Sequence, residues 1–89
     1  MPSTTEPLSA ATAEFGRRVR QHRRERGLSQ EGLADLAGLH WTFVGQVERG
    51  RRNLTLHNIL RLAGALGVNA RDLIADLEYT ASSEPAKGS

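Results

Sequence analysis

The stretch SQEGLADLAGLHWTFVGQVERGRRNLTLHNILRLAGALGV, Ser29 to Val68, sets apolar residues three and four apart and punctuates them with Gly38, Gly50 and Gly67. That is the pattern of short helices ending in left-handed caps or tight turns. No alternating strand pattern competes with it. Working outward, Gly27 closes a longer helical stretch upstream, and a last short one follows Asn69. The spacing predicts an all-α chain with five helices over about 11–26, 30–37, 41–49, 56–66 and 70–77. Ser29, Thr55 and Asn69 are the expected N-caps of the second, fourth and fifth, and Asp72 stands three residues after Asn69, as in a capping box.

The chain has 89 residues and no cysteine. It is one domain, near the size where a core becomes marginal without metals, disulfides or self-association, so a homodimer is expected. The longest apolar and small run, LAGALGV from Leu62 to Val68, is far short of the roughly 20 residues of a membrane span. The N-terminus lacks the basic start and apolar core of a signal peptide, and a cytoplasmic location is expected. RRVRQHRRER has an apolar face too interrupted by Arg23 and Arg26 for a membrane-surface helix. MPSTTEPLSA and TASSEPAKGS lack apolar periodicity, and residues 1–10 and 78–89 are read as mobile tails around a domain at 11–77.

Net charge is only +2, but it is unevenly placed. From Glu14 to Asn53 nine arginines face five acids, +4, whereas the remainder has three basic against five acidic residues, −2. Eleven of the twelve basic residues are arginine, the side chain suited to bidentate phosphate and guanine contacts, although a GC-rich genome gives the same bias.

In the first helix Phe15, Val19, His22, Arg23 and Arg26 share a stripe, and Arg17, Arg20 and Arg24 share another. Arg23 therefore points at the core, where a guanidinium needs a carboxylate. Glu48 offers one, since Val44, Val47 and Glu48 share the inner face of the third helix; the alternative is that Arg23 snorkels to solvent along its stem. Trp41, Thr42, Gly45, Gln46 and Arg49 then face out, followed by Arg51 and Arg52. Such a face suits a reader of the DNA major groove, with amide and hydroxyl groups for base edges and guanidiniums for phosphates. Gly45 is alternatively a tolerated helix defect, at about 1 kcal/mol against alanine.

With Gln30, Leu33, Ala34, Ala37, Gly38, Glu48, Gly50 and a Leu-Ala-x-Ala-Leu ending in place, Ser29 to Val68 resembles the helix-turn-helix of the phage repressor and Cro (Xre) family. The likeness runs from Phe15 to Leu77. Within that family HWTFVGQVERGRRNLTL is similar to the controller proteins of restriction-modification systems. The resemblance implies a five-helix lambda-repressor-like DNA-binding domain whose helices 2 and 3 form the helix-turn-helix. It implies that Gln30 bonds a phosphate, that Trp41, Thr42 and Gln46 read bases, that Phe43, Arg49, Arg52 and Asn53 lie near the DNA backbone, and that Arg23 pairs with Glu48. Arg51 belongs with Arg49 and Arg52 in the cluster just beyond the recognition helix. The sequence departs from the controller pattern at Trp41, where arginine is usual, at Phe43, where tyrosine is usual and whose missing hydroxyl favours packing, and at Leu54, where many relatives have proline. Trp41 either presses its indole on base edges or folds back over Leu39.

Leu60, Ile74 and Leu77 stand on the last two helices beside a core already filled by Ile59, Leu62, Ala63, Leu66 and Leu73, and are expected to form a two-fold interface. His22, His40 and His57 show no metal-ligand spacing and no partner nucleophile, and each reads as solvated or locally bonded. LAGALGVN is not a dinucleotide fingerprint. The expectation is a non-enzymatic, homodimeric, sequence-specific regulator of double-stranded DNA on a (pseudo)palindromic operator, with no cofactor, metal or small-molecule ligand. The alternative is an antitoxin or adaptor that mainly binds a protein partner.

Overall fold

The computed structural model describes residues 6–79. They form five helices, α1 (Ala10–Glu25), α2 (Gln30–Ala37), α3 (Trp41–Glu48), α4 (Leu56–Leu66) and α5 (Ala70–Ile74), and no strand is found among the described residues. Ser29 Oγ accepts the Gly32 N–H at 2.9 Å, Thr55 Oγ1 accepts the Asn58 N–H at 3.2 Å, and Asn69 with Asp72 closes a capping box on α5. Left-handed Gly38 and Gly67 end α2 and α4.

Both ends of the helical region differ from the sequence expectation. α1 begins at Ala10, because Ser9 and Thr12 form a reciprocal box in which each side-chain oxygen accepts the other's backbone N–H at 3.0 Å. Thr12 at that position replaces the Glu or Gln that usually signals the motif. The chain before it is held against the turn after α3: the Leu8 N–H donates to the Gly50 carbonyl at 2.8 Å, and the Arg51 guanidinium donates to the Glu6 carbonyl. Residues 6–9 therefore lie on the domain; the rest of the expected N-terminal tail, and positions 80–89 of the C-terminal one, lie outside the described residues. α5 stops at Ile74 rather than 77, since Ala75 turns extended and Asp76 takes φ 64. Asp tolerates the left-handed region better than most side chains. Arg18 of α1 replaces the lost helical partners by donating to the carbonyls of Leu73 at 3.3 Å and Ala75 at 2.7 Å.

All five helices supply the core, with Phe15, Val19, Leu33, Val44, Val47, Leu62, Leu66 and Leu73 as its large members. Ile59, expected to fill that core, is only partly buried at its margin. α1 packs closely on α3 at Gly16. A Cβ added at Gly16 would lie 2.2 Å from the Val47 carbonyl oxygen and 2.8 Å from that of Glu48, so only glycine admits this approach. The backbone of α3 is seated there by contact with α1. No helix among the described residues is long and apolar enough to cross a membrane.

Candidate nucleic-acid interface

The base of the site is a buried charge network. Arg23 Nε donates to Glu48 Oε2 at 2.6 Å and Nη2 to Oε1 at 3.1 Å, while Nη1 donates to the Leu28 carbonyl at 2.7 Å. Gln30 Nε2 adds a donor to Glu48 Oε1 at 3.1 Å. The side chains are 11% and 3% exposed for Arg23 and Glu48, so bulk water contributes little and the partners must satisfy both charges. They do: among the described residues no buried side-chain nitrogen or oxygen lacks a partner. One carboxylate thus ties α3 to α1 and to the first residue of α2.

Gln30 stands at the start of α2, half-buried, with its amide committed to Glu48. Gly45, expected on the outward face, is buried instead. Its missing side chain leaves room for Gln30 and the Arg49 guanidinium, each 3.5 Å from where a Cβ would stand. Helical phase alone gives Gly45 an outward direction; the neighbouring N-terminus of α2 covers it.

Trp41 and Thr42 occupy the exposed first turn of α3. Trp41 is 50% exposed and stacks on His40, with ring centroids 6.1 Å apart at 23°. It borders two shallow clefts, one shared with Glu31, Asp35, Leu39 and His40 and the other with Arg23, Ser29, Gln30 and Glu31. Glu31 and Asp35 therefore place two acids beside a face that the third helix, taken alone, leaves nearly free of them. His40 is the N-cap of α3: its Nδ1 accepts the Thr42 N–H at 3.2 Å and lies 2.7 Å from Thr42 Oγ1. The sequence signal was its position directly before the helix, where Ser, Thr, Asn or Asp is usual.

At the other end of α3, Gln46, Phe43 and Arg52 form a cluster. Arg52 Nε donates to Gln46 Oε1 at 2.6 Å, and its guanidinium lies 5.3 Å from the centre of the Phe43 ring, within cation–π range. Phe43 itself packs partly buried against the core. Arg49, Arg52 and Asn53 are exposed, whereas Arg51 is half-buried and turned to the N-terminal segment.

Leu60 and Ile74 are 50% and 42% exposed. Leu77, expected to be spare, packs against the core and lines with Ile74, Phe15, Leu54 and Ile59 an apolar cleft of about 150 Å³. Leu60 does not line that cleft. Leu56, one turn before Leu60 on α4, is 65% exposed and escaped the sequence reading. No group of three or more His, Asp or Glu side chains that could hold a metal ion occurs among the described residues.

A helix-turn-helix domain model matches residues 14–77. The control protein C.BamHI of Bacillus amyloliquefaciens is 46% identical over 61 residues, 67% of this chain and 75% of its own. The crystal structure of the restriction-modification controller protein C.AhdI from Aeromonas hydrophila superposes with TM-score 0.72 at 52% identity, over 73% of this chain and 98% of that one. The biofilm regulator SinR, solved in complex with DNA, superposes with TM-score 0.64 at 28% identity, over 66% and 95%. With α2 and α3 as its helix-turn-helix, the chain belongs to the Xre-type helix-turn-helix family of DNA-binding transcriptional regulators, close to the restriction-modification controller proteins.

Proposed function

We propose that this protein is a cytoplasmic, homodimeric regulator that reads a (pseudo)palindromic double-stranded DNA operator with α3, in the manner of a controller protein. One observation carries the reading. The buried Arg23–Glu48–Gln30 network fixes the inner side of α3 while Trp41, Thr42, Arg49 and Arg52 stay accessible. Trp41, Thr42 and Gln46 would meet base edges, and Gln30, Phe43, Arg49, Arg51, Arg52 and Asn53 would lie along the sugar-phosphate backbone. Gln46 is held by Arg52 in the free protein. Movement of Arg52 to a phosphate would release the Gln46 amide toward a base, coupling backbone contact to reading. Leu60, Ile74 and the partly covered Leu77 are the residues we assign to the two-fold interface, which would set two α3 helices about 34 Å apart. Selection of bound sites from random duplex DNA tests the whole reading: two inverted half-sites about one helical turn apart are expected, and no enrichment of any sequence would refute it.

A further inference from the structure

His40 caps α3 with the same nitrogen that meets the Thr42 hydroxyl. Nδ1 accepts the Thr42 backbone N–H at 3.2 Å and lies 2.7 Å from Thr42 Oγ1. A backbone N–H only donates, so Nδ1 presents its lone pair and the ring proton sits on Nε2. The short contact to Oγ1 then requires the hydroxyl proton to point at Nδ1 as well. What Thr42 Oγ1 has left for other partners is lone pairs alone. Stacking on Trp41 steadies the ring plane that imposes this.

Building on the reading of Thr42 as a base-contacting residue, we propose that His40 is a positioning residue that fixes Thr42 as a hydrogen-bond acceptor, so that Thr42 selects an exocyclic amino group, adenine N6 or cytosine N4. In the major groove those amino groups are the donors, while guanine O6 and N7, adenine N7 and thymine O4 accept. A free threonine hydroxyl serves either kind. One tied to a neutral imidazole serves only donors.

The test starts from a duplex selected by the protein. At the position whose preference Thr42→Val erases, the amino group is deleted by placing purine for adenine, or a pyrimidinone lacking N4 for cytosine, and affinities are measured. The parent should lose about tenfold, and Thr42→Val, which also meets the altered base pair, should lose much less. His40→Ala, which frees the Thr42 hydroxyl to turn, should also lose much less, whereas His40→Asn, which keeps a capping oxygen, should lose about as much as the parent. Melting curves confirm that each variant is folded under the binding conditions. Equal losses for parent and Thr42→Val, or for parent and His40→Ala, would overturn the positioning role while leaving base reading by α3 standing. If Thr42→Val erases no preference at any position, the base-reading role of Thr42 fails first, and this inference with it.

Discussion

Gly16 of α1 lies against Val47 of α3 so closely that a single added carbon would stand 2.2 Å from the Val47 carbonyl oxygen. Two effects oppose each other in Gly16→Ala. Alanine gains about 1 kcal/mol of helix propensity in a helix interior, but here it meets backbone atoms that cannot rotate away, and overpacking of this kind destabilises by about 1 to 3 kcal/mol. The clash should win. We expect a lowered denaturation midpoint with an unchanged slope, and DNA binding weakened further at temperatures where the variant remains folded, because α3 is displaced from its seat. A variant as stable as the parent would show that the α1–α3 approach is looser than described.

Glu48→Ala leaves Arg23 buried with only the Leu28 carbonyl as partner. Breaking one side of a buried pair is strongly destabilising, by about 3 to 5 kcal/mol, and the loss should be read directly in chemical denaturation. Replacing both residues by apolar side chains of similar volume should recover much of that stability. It should not recover DNA affinity, since Gln30 would then lack the oxygen that orients it. An unchanged melting midpoint in Glu48→Ala would contradict the buried network.

Glu14 gives the clearest pH dependence. Hydrogen bonds from Arg17 and then Arg18 hold its carboxyl at about 2, below the ordinary 4.5. A depressed folded-state value means that the unfolded chain takes up the proton first, so the contribution is fully present above 4.5 and is lost as pH falls through about 2. Arg18 also holds the end of α5 through the Leu73 and Ala75 carbonyls. Glu14→Gln should therefore flatten the acid side of the stability profile by a small amount, because the group is solvent-exposed. An identical acid limb in parent and variant would remove Glu14 from the account.

Self-association is tested at α4 and α5. Leu60→Asp or Ile74→Asp places a charge on an exposed apolar position, so the monomer should keep its fold while sedimentation shifts from dimer to monomer. A parent that stays monomeric at high micromolar concentration would rule out the proposed interface.

Much of this architecture is legible in the sequence because three- and four-residue apolar spacing and glycine punctuation are local signals. What was not legible depends on neighbours. Thr12 does not look like a capping residue until Ser9 faces it, and the carbonyls left open where α5 ends early are taken by Arg18, more than fifty residues away in the chain. Gly45 has an outward phase on its own helix and is covered by Gln30 from α2 together with Arg49, its neighbour one turn on. At the interface the reading of single residues gave positions but not partners. Gln46 and Arg52 look like independent contacts, yet they are bonded to each other, and His40, unremarkable as a lone histidine, holds the first turn of α3.

The central claim is that the exposed side of α3 reads sequence while the arginines beyond it position the backbone. Its most direct test compares Gln46→Ala and Trp41→Ala with Arg49→Ala on a preferred and a random duplex over a range of salt concentrations. The two α3 variants should lose about 1 to 3 kcal/mol on the preferred duplex only, with unchanged salt slope and melting temperature. Arg49→Ala should weaken both duplexes alike and reduce the salt slope by about one unit. Equal losses on both duplexes for Gln46→Ala and Trp41→Ala, or no loss on either, would contradict sequence reading by this face of α3.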